Sequence, residues 1–112
     1  MTLLEAETIF TRNIARLIEH IFSCGYKCTL GEAFRTKEQA EINANKGIGI
    51  KDSLHRKRLA IDINLFSPEG KYLSDTKDYE LFGIYWESLH KHNRWGGKFK
   101  RADGNHFEMQ EV

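Results

Sequence analysis

Cysteine is scarce in this chain. There are two, Cys24 and Cys28, close together around Gly25. So few thiols exclude a disulfide framework. His20 lies near enough to suggest a metal site with them, but buried free thiols are the expected state. No charge sign dominates either, since the formal net charge is +1. A nucleic-acid binder driven by bulk charge shows a clear basic excess, so no nucleic-acid partner is expected. No apolar run is long enough to span a bilayer, so no membrane insertion is expected. The N-terminal MTLLEAETIF carries Glu5 and Glu7 where a secretory signal carries Lys or Arg, and no apolar stretch follows. Synthesis in the cytoplasm without a signal peptide is the expectation. A target outside the cell then requires release by something else. Repeats, linkers and low-complexity segments are absent from the pattern.

What is present is the make-up of one globular domain. The 112 residues are 40% hydrophobic and 29% charged, a balance that argues against disorder. A chain of this size buries a core without needing cross-links. We read residues 1–112 as a single domain.

Apolar residues at Leu3, Ala6, Phe10, Ile14, Leu17 and Ile21 recur at helical spacing, and Gly25 is a stop. Residues 26–34 read as a strand. Thr36-Lys37-Glu38-Gln39 is a capping-box pattern, opening a short helix to about residue 46. Gly47 and Gly49 end it. Residues 59–66 are the clearest strand, with Leu59, Ile61, Ile63 and Leu65 alternating with Ala60, Asp62 and Asn64. Ser67-Pro68-Glu69-Gly70 is a turn. Thr76 or Asp78 is expected to cap a second long helix to about residue 92. Its apolar stripe is Leu81, Phe82, Tyr85, Trp86 and Leu89. Trp95-Gly96-Gly97 breaks the chain, and residues 106–111 form a last strand. The pattern is α+β.

Chemistry concentrates at two places. Asp62 sits inside an apolar strand, where an unpaired charge is costly, so it needs a partner. His55 is seven residues upstream. Seven extended residues span roughly 23 Å, so the two share one ion only if the chain turns at Arg56-Lys57-Arg58. The second place is Asp103-Gly104-Asn105-His106-Phe107-Glu108. It offers a carboxylate three residues before a histidine, one to bind metal and the other to move a proton. His106 and Glu108 share one strand face, and Phe107 faces the other. Taken alone, a buried His–Asp pair is a structural ion pair more often than a metal site, and HExxH is absent. Trp95-Gly96-Gly97 reads as core and turn more than as a site wall. His20, His90 and His92 read as surface or helix-face histidines. Arg56-Lys57-Arg58 with Lys98, Lys100 and Arg101 read as solvated loops more than as a basic rim.

SLHRKRLAIDINLF, followed in order by YWESL, RWGG and DGNHFE, with FRTKEQ upstream, resembles one family. It is the zinc D-alanyl-D-alanine carboxypeptidase and L-alanyl-D-glutamate endopeptidase family, which includes VanY-like enzymes and phage endolysin-type peptidases. The resemblance implies a small antiparallel sheet flanked by helices, the hedgehog/D,D-peptidase-like fold. It implies zinc held by His55, Asp62 and His106. It implies Asp103 as catalytic acid and base, with Glu108 as a rival for that role. Arg35 falls where the family binds substrate and stabilises the oxyanion, with Ser53 and Gln39 beside the substrate. The implied substrate is a peptidoglycan stem peptide, cut by an L-alanyl-D-glutamate endopeptidase acting on the wall after release. The alternatives are a D-alanyl-D-alanine carboxypeptidase and a non-catalytic zinc-containing module, wall-binding or phage structural. Nothing in the sequence fixes an oligomeric state; a monomer is the expectation. The chain departs from many relatives at Arg58, where they carry glycine, and at Gly104-Asn105, which replaces a proline-containing version.

Overall fold

Helix α1, Leu3–Ser23, starts at a capping box: Thr2 Oγ1 accepts from Glu5 N at 3.1 Å, and Glu5 Oε1 accepts from Thr2 N at 3.4 Å. The Thr-x-x-Glu spacing carries this signal in the sequence. The helix ends as expected at Gly25, whose φ of +88° is left-handed. Its buried face is Ala6, Phe10, Asn13, Ile14, Leu17 and Ile21. Leu3, expected on that face, is exposed. The structure is a computed structural model that describes residues 1–34, 36, 38, 39, 42 and 54–110, with only the backbone of Arg56.

Among the described residues five strands form one antiparallel sheet. They are β1 (Lys27–Leu30), β2 (Ala60–Phe66), β3 (Tyr72–Leu73), β4 (Asn93–Trp95) and β5 (His106–Met109). The order is β1-β2-β5-β4, with β3 also on β2. β1 is shorter than the expected 26–34, because past Leu30 only scattered bonds continue: Gly31 N to Asp62 O and Asp62 N to Glu32 O. β2 matches its expected span within one residue. Its alternation puts Ile61, Ile63 and Leu65 in the core and leaves Asp62 and Asn64 half-buried on the other face.

Helix α2, Glu80–Ser88, has nine residues and stops well before residue 92. Neither Thr76 nor Asp78 caps it. Residues Thr76–Tyr79 form a 3-10 turn that leads in directly. The chain leaves the helix early because it must form β4, which the sequence pattern did not reveal. Phe82 and Trp86 enter the core, whereas Leu81 is exposed. Cys24 is exposed and Cys28 half-buried, so the buried-thiol expectation fails for both. Thr36 Oγ1 does accept from Gln39 N at 3.1 Å. The rest of that short helix, with Gly47, Gly49 and the site residues Arg35 and Ser53, lies outside the described residues. Among the described residues no helix is long and apolar enough to cross a membrane.

Two tryptophans fasten the core to the end of the chain. Trp86 Nε1 donates to Glu108 O at 2.9 Å, and Trp95 Nε1 donates to Gly104 O at 2.7 Å. The indole of Trp95 is packed between Gly83 and Gly97, where an added Cβ would lie 2.2 Å from ring carbons in each case. Trp95-Gly96-Gly97 is therefore structural. Gly83→Ala at an open helix position would raise stability by about 1 kcal/mol. Here it is expected to lower it by ~1–3 kcal/mol through overpacking, read as a lower denaturant midpoint with an unchanged slope.

Candidate metal centre

The β2–β5 register pairs Asp62 with His106, so their side chains project from the same face of neighbouring strands. Ile63 N bonds Asn105 O at 2.8 Å and carries the ladder one step beyond the pair. The DGNH turn is held from both sides. His106 N bonds Asp103 O at 3.1 Å, Asp103 N bonds Gly96 O at 2.9 Å, and Trp95 holds the carbonyl of Gly104.

His55 reaches the same place from a 3-10 turn, Leu54–Lys57. The turn at 56–58 that one shared ion demands is present. Arg58 completes it in the left-handed region at φ 57°, a conformation that costs a non-glycine residue roughly 1–2 kcal/mol. This is the position where the resembled family carries glycine. The guanidinium of Arg58 lies over the Phe34 ring at 4.1 Å, a contact that offsets part of that cost. Beyond it Leu59 drops fully into the core.

The three side chains converge. His106 Nδ1 is 3.2 Å and His55 Nε2 3.5 Å from the same oxygen, Asp62 Oδ1. One donor atom from each residue lies within 4.8 Å of the others. Tetrahedral ligands ~2.0–2.2 Å from one zinc ion stand about 3.4 Å apart, which the two distances to Asp62 Oδ1 match. The far nitrogens are also engaged. His55 Nδ1 is 3.2 Å from Ala33 O, and His106 Nε2 is 2.7 Å from Glu108 Oε1. A carbonyl only accepts, so His55 Nδ1 donates to Ala33 O, whereas His106 has a carboxylate at each nitrogen, Glu108 at Nε2 and Asp62 at Nδ1. His55 Nε2 thus faces the same carboxylate oxygen as His106 Nδ1, a set of atoms that a cation between them would complete. Both histidines are buried, at 3% and 8% exposed.

Glu108 stands behind this set. It is 5% exposed. Its Oε1 faces His106, and its Oε2 accepts from Arg94 Nε at 2.9 Å and also pairs with Arg94 Nη2. Asp103 differs, being exposed at the start of the turn. Gln39 is exposed in its short helix.

Without a bound cation these contacts shift the titrations. Burial disfavours a charged His106, but hydrogen bonds to Asp62 and Glu108 outweigh it and raise its pKa to about 9. Burial alone would raise Asp62, yet its bonds to His106 and His55 hold it at about 2. Glu108 is lowered because bonds to His106 and Arg94 outweigh its burial. The raised His106 stabilises the fold fully below the unfolded value of 6.5, and this is lost as pH rises through about 9. The depressed Asp62 stabilises above 3.8, and this is lost as pH falls toward 2. Denaturant titrations of the chelated chain are therefore expected to show highest stability between these limits and a decline from pH 6.5 to 9.

Residues 47–109 match the D-alanyl-D-alanine carboxypeptidase family. Among solved structures, the L-Ala D-Glu endopeptidase ChiX of Serratia marcescens superposes with a TM-score of 0.64. It is 19% identical to this chain, and the match covers 75% of this chain and 67% of that one. At that identity the likeness establishes the fold, a small antiparallel sheet flanked by helices. No curated protein matches the chain. The family match takes in His55, Asp62 and His106 together with more than half of the sequence, and the chain belongs to the D-alanyl-D-alanine carboxypeptidase family of peptidases.

Proposed function

We propose that this peptidase is zinc-dependent and hydrolyses peptidoglycan stem peptides, cutting as an L-alanyl-D-glutamate endopeptidase. The convergence of His55, Asp62 and His106 on one point, in a member of this family, carries the reading. The likeness in fold to an endopeptidase supports the choice of bond. The family's description favours a second reading, release of terminal D-alanine by a carboxypeptidase. On the first reading the chain reaches the wall after release from the cytoplasm, in the manner of the phage lysis enzymes it resembles.

Each residue has a separate task. His55, Asp62 and His106 would hold zinc through two imidazoles and one carboxylate, the donor set of a catalytic rather than a structural site. When bound, zinc supplies Lewis-acid polarisation and makes water acidic enough to react near neutral pH. Asp103 takes the proton of the attacking water and passes it to the leaving amine. Its exposure beside the turn that carries His106 supports this role. Glu108 is excluded from it in this reading, since both its oxygens are engaged on the far side of the His106 ring. Arg35 holds a substrate carboxylate or the developing oxyanion by charge-assisted bonds. Ser53 and Gln39 line the substrate. The roles of Arg35 and Ser53 rest on the resemblance of FRTKEQ and SLH.

Mass spectrometry of purified peptidoglycan digested by the zinc-loaded chain, with a chelator control, tests the reading. A chelator-sensitive new amino terminus on glutamate is the expected result. Free D-alanine instead would establish the carboxypeptidase, and no cleavage of several wall types would overturn both. Asp103→Asn is expected to keep its zinc and lose ~10²–10⁴-fold in turnover. Loss of zinc from that variant would make Asp103 a ligand instead.

A further inference from the structure

We infer that Glu108, held by Arg94, is a positioning residue that fixes which nitrogen of His106 faces the cation. The inference rests on the zinc reading above. An imidazole offers two nitrogens, and only one of them can ligate while the other keeps its proton. Metal-bound histidines are commonly set in this way by an acceptor on the far nitrogen. In this chain the far nitrogen is Nε2, and its acceptor is Glu108 Oε1 at 2.7 Å. Nδ1 is thereby turned toward Asp62 Oδ1.

The acceptor itself is held by two residues, Arg94 and Trp86. Arg94 and Glu108 are cross-strand partners on β4 and β5, which puts their side chains together. Arg94 Nε and Nη2 both donate to Oε2, which leaves Oε1 for the ring. Trp86 Nε1 holds the backbone carbonyl of Glu108 at 2.9 Å, so the strand cannot shift under the side chain. Phe99 packs 5.7 Å from the His106 ring, and the Arg94 guanidinium lies 5.5 Å from the Phe99 ring. A buried carboxylate is costly unless it is paired, and this one is paired on one oxygen with Arg94, which is 47% exposed, and on the other with the His106 ring.

The test reads zinc affinity of the whole chain by competition with a chromophoric chelator, together with ¹⁵N NMR of the histidine rings. Glu108→Leu is expected to weaken zinc binding by ~10–100-fold. Glu108→Gln, whose amide oxygen still accepts from Nε2–H, is expected to recover most of that loss. Arg94→Met should shift affinity the same way by a smaller factor. In the zinc-loaded wild type, NMR should show Nε2 protonated and Nδ1 bound to metal. The NMR reading needs no variant, so it decides the question even if Glu108→Leu does not fold. Wild-type affinity in Glu108→Leu, or Nδ1 protonated in the loaded wild type, would overturn this inference alone. A wild type that takes up no zinc would overturn the zinc reading and this inference together.

Discussion

The pairing of β2 with β5 in one register is the constraint on which the site depends. It sets Asp62 opposite His106 on one face and Ile61 opposite Phe107 on the other. A slip of one residue would bury the carboxylate in the core and turn the aliphatics to solvent. The core therefore enforces the site. Ile61, Ile63, Leu65, Phe107 and Met109 are all buried on one side of these two strands, and no other register satisfies them. Trp86 and Trp95 add two indole hydrogen bonds on either side of His106, at Glu108 O and Gly104 O. The stability of the core and the accuracy of the site come from the same few contacts.

A tension runs through the centre. Two imidazoles and two carboxylates are brought into a small, largely water-excluded volume. Without a cation a proton on His106 offsets one carboxylate and Arg94 the other, and the hydrogen bonds to Asp62 and Glu108 are why that ring titrates so high. A cation and this proton compete for the same nitrogen. The left-handed Arg58 stands beside this cluster, where a local backbone cost is accepted because the turn must bring His55 back to Asp62.

Much of this was legible in the sequence. α1 and β2 followed from apolar periodicity, and the placement of Asp62 off the core face followed from alternation. The turn between His55 and Asp62 was legible as a geometric need. Spacing alone did not separate a metal centre from a structural ion pair; the ordered set of motifs pointed to the family. Three features were missed. β3 and β4 are two and three residues long, too short for a period to register. α2 ended early because β4 competes for the residues after Ser88, a tertiary demand that local pattern does not carry. Glu108 was weighed as a proton carrier, because sequence shows that it shares a face with His106 but not which side of the ring it touches. The signal for Arg94 was weaker still. It depends on the β4–β5 register, which a three-residue strand does not announce.

The convergence of His55, Asp62 and His106 on one cation is the claim on which the functional reading turns. Crystals grown with zinc and measured on either side of the zinc absorption edge would test it most directly. The account predicts a single anomalous peak ~2.0–2.2 Å from His55 Nε2, Asp62 Oδ1 and His106 Nδ1. Zinc bound elsewhere, or no peak between these three atoms, would contradict it and leave the cluster as a buried ion pair.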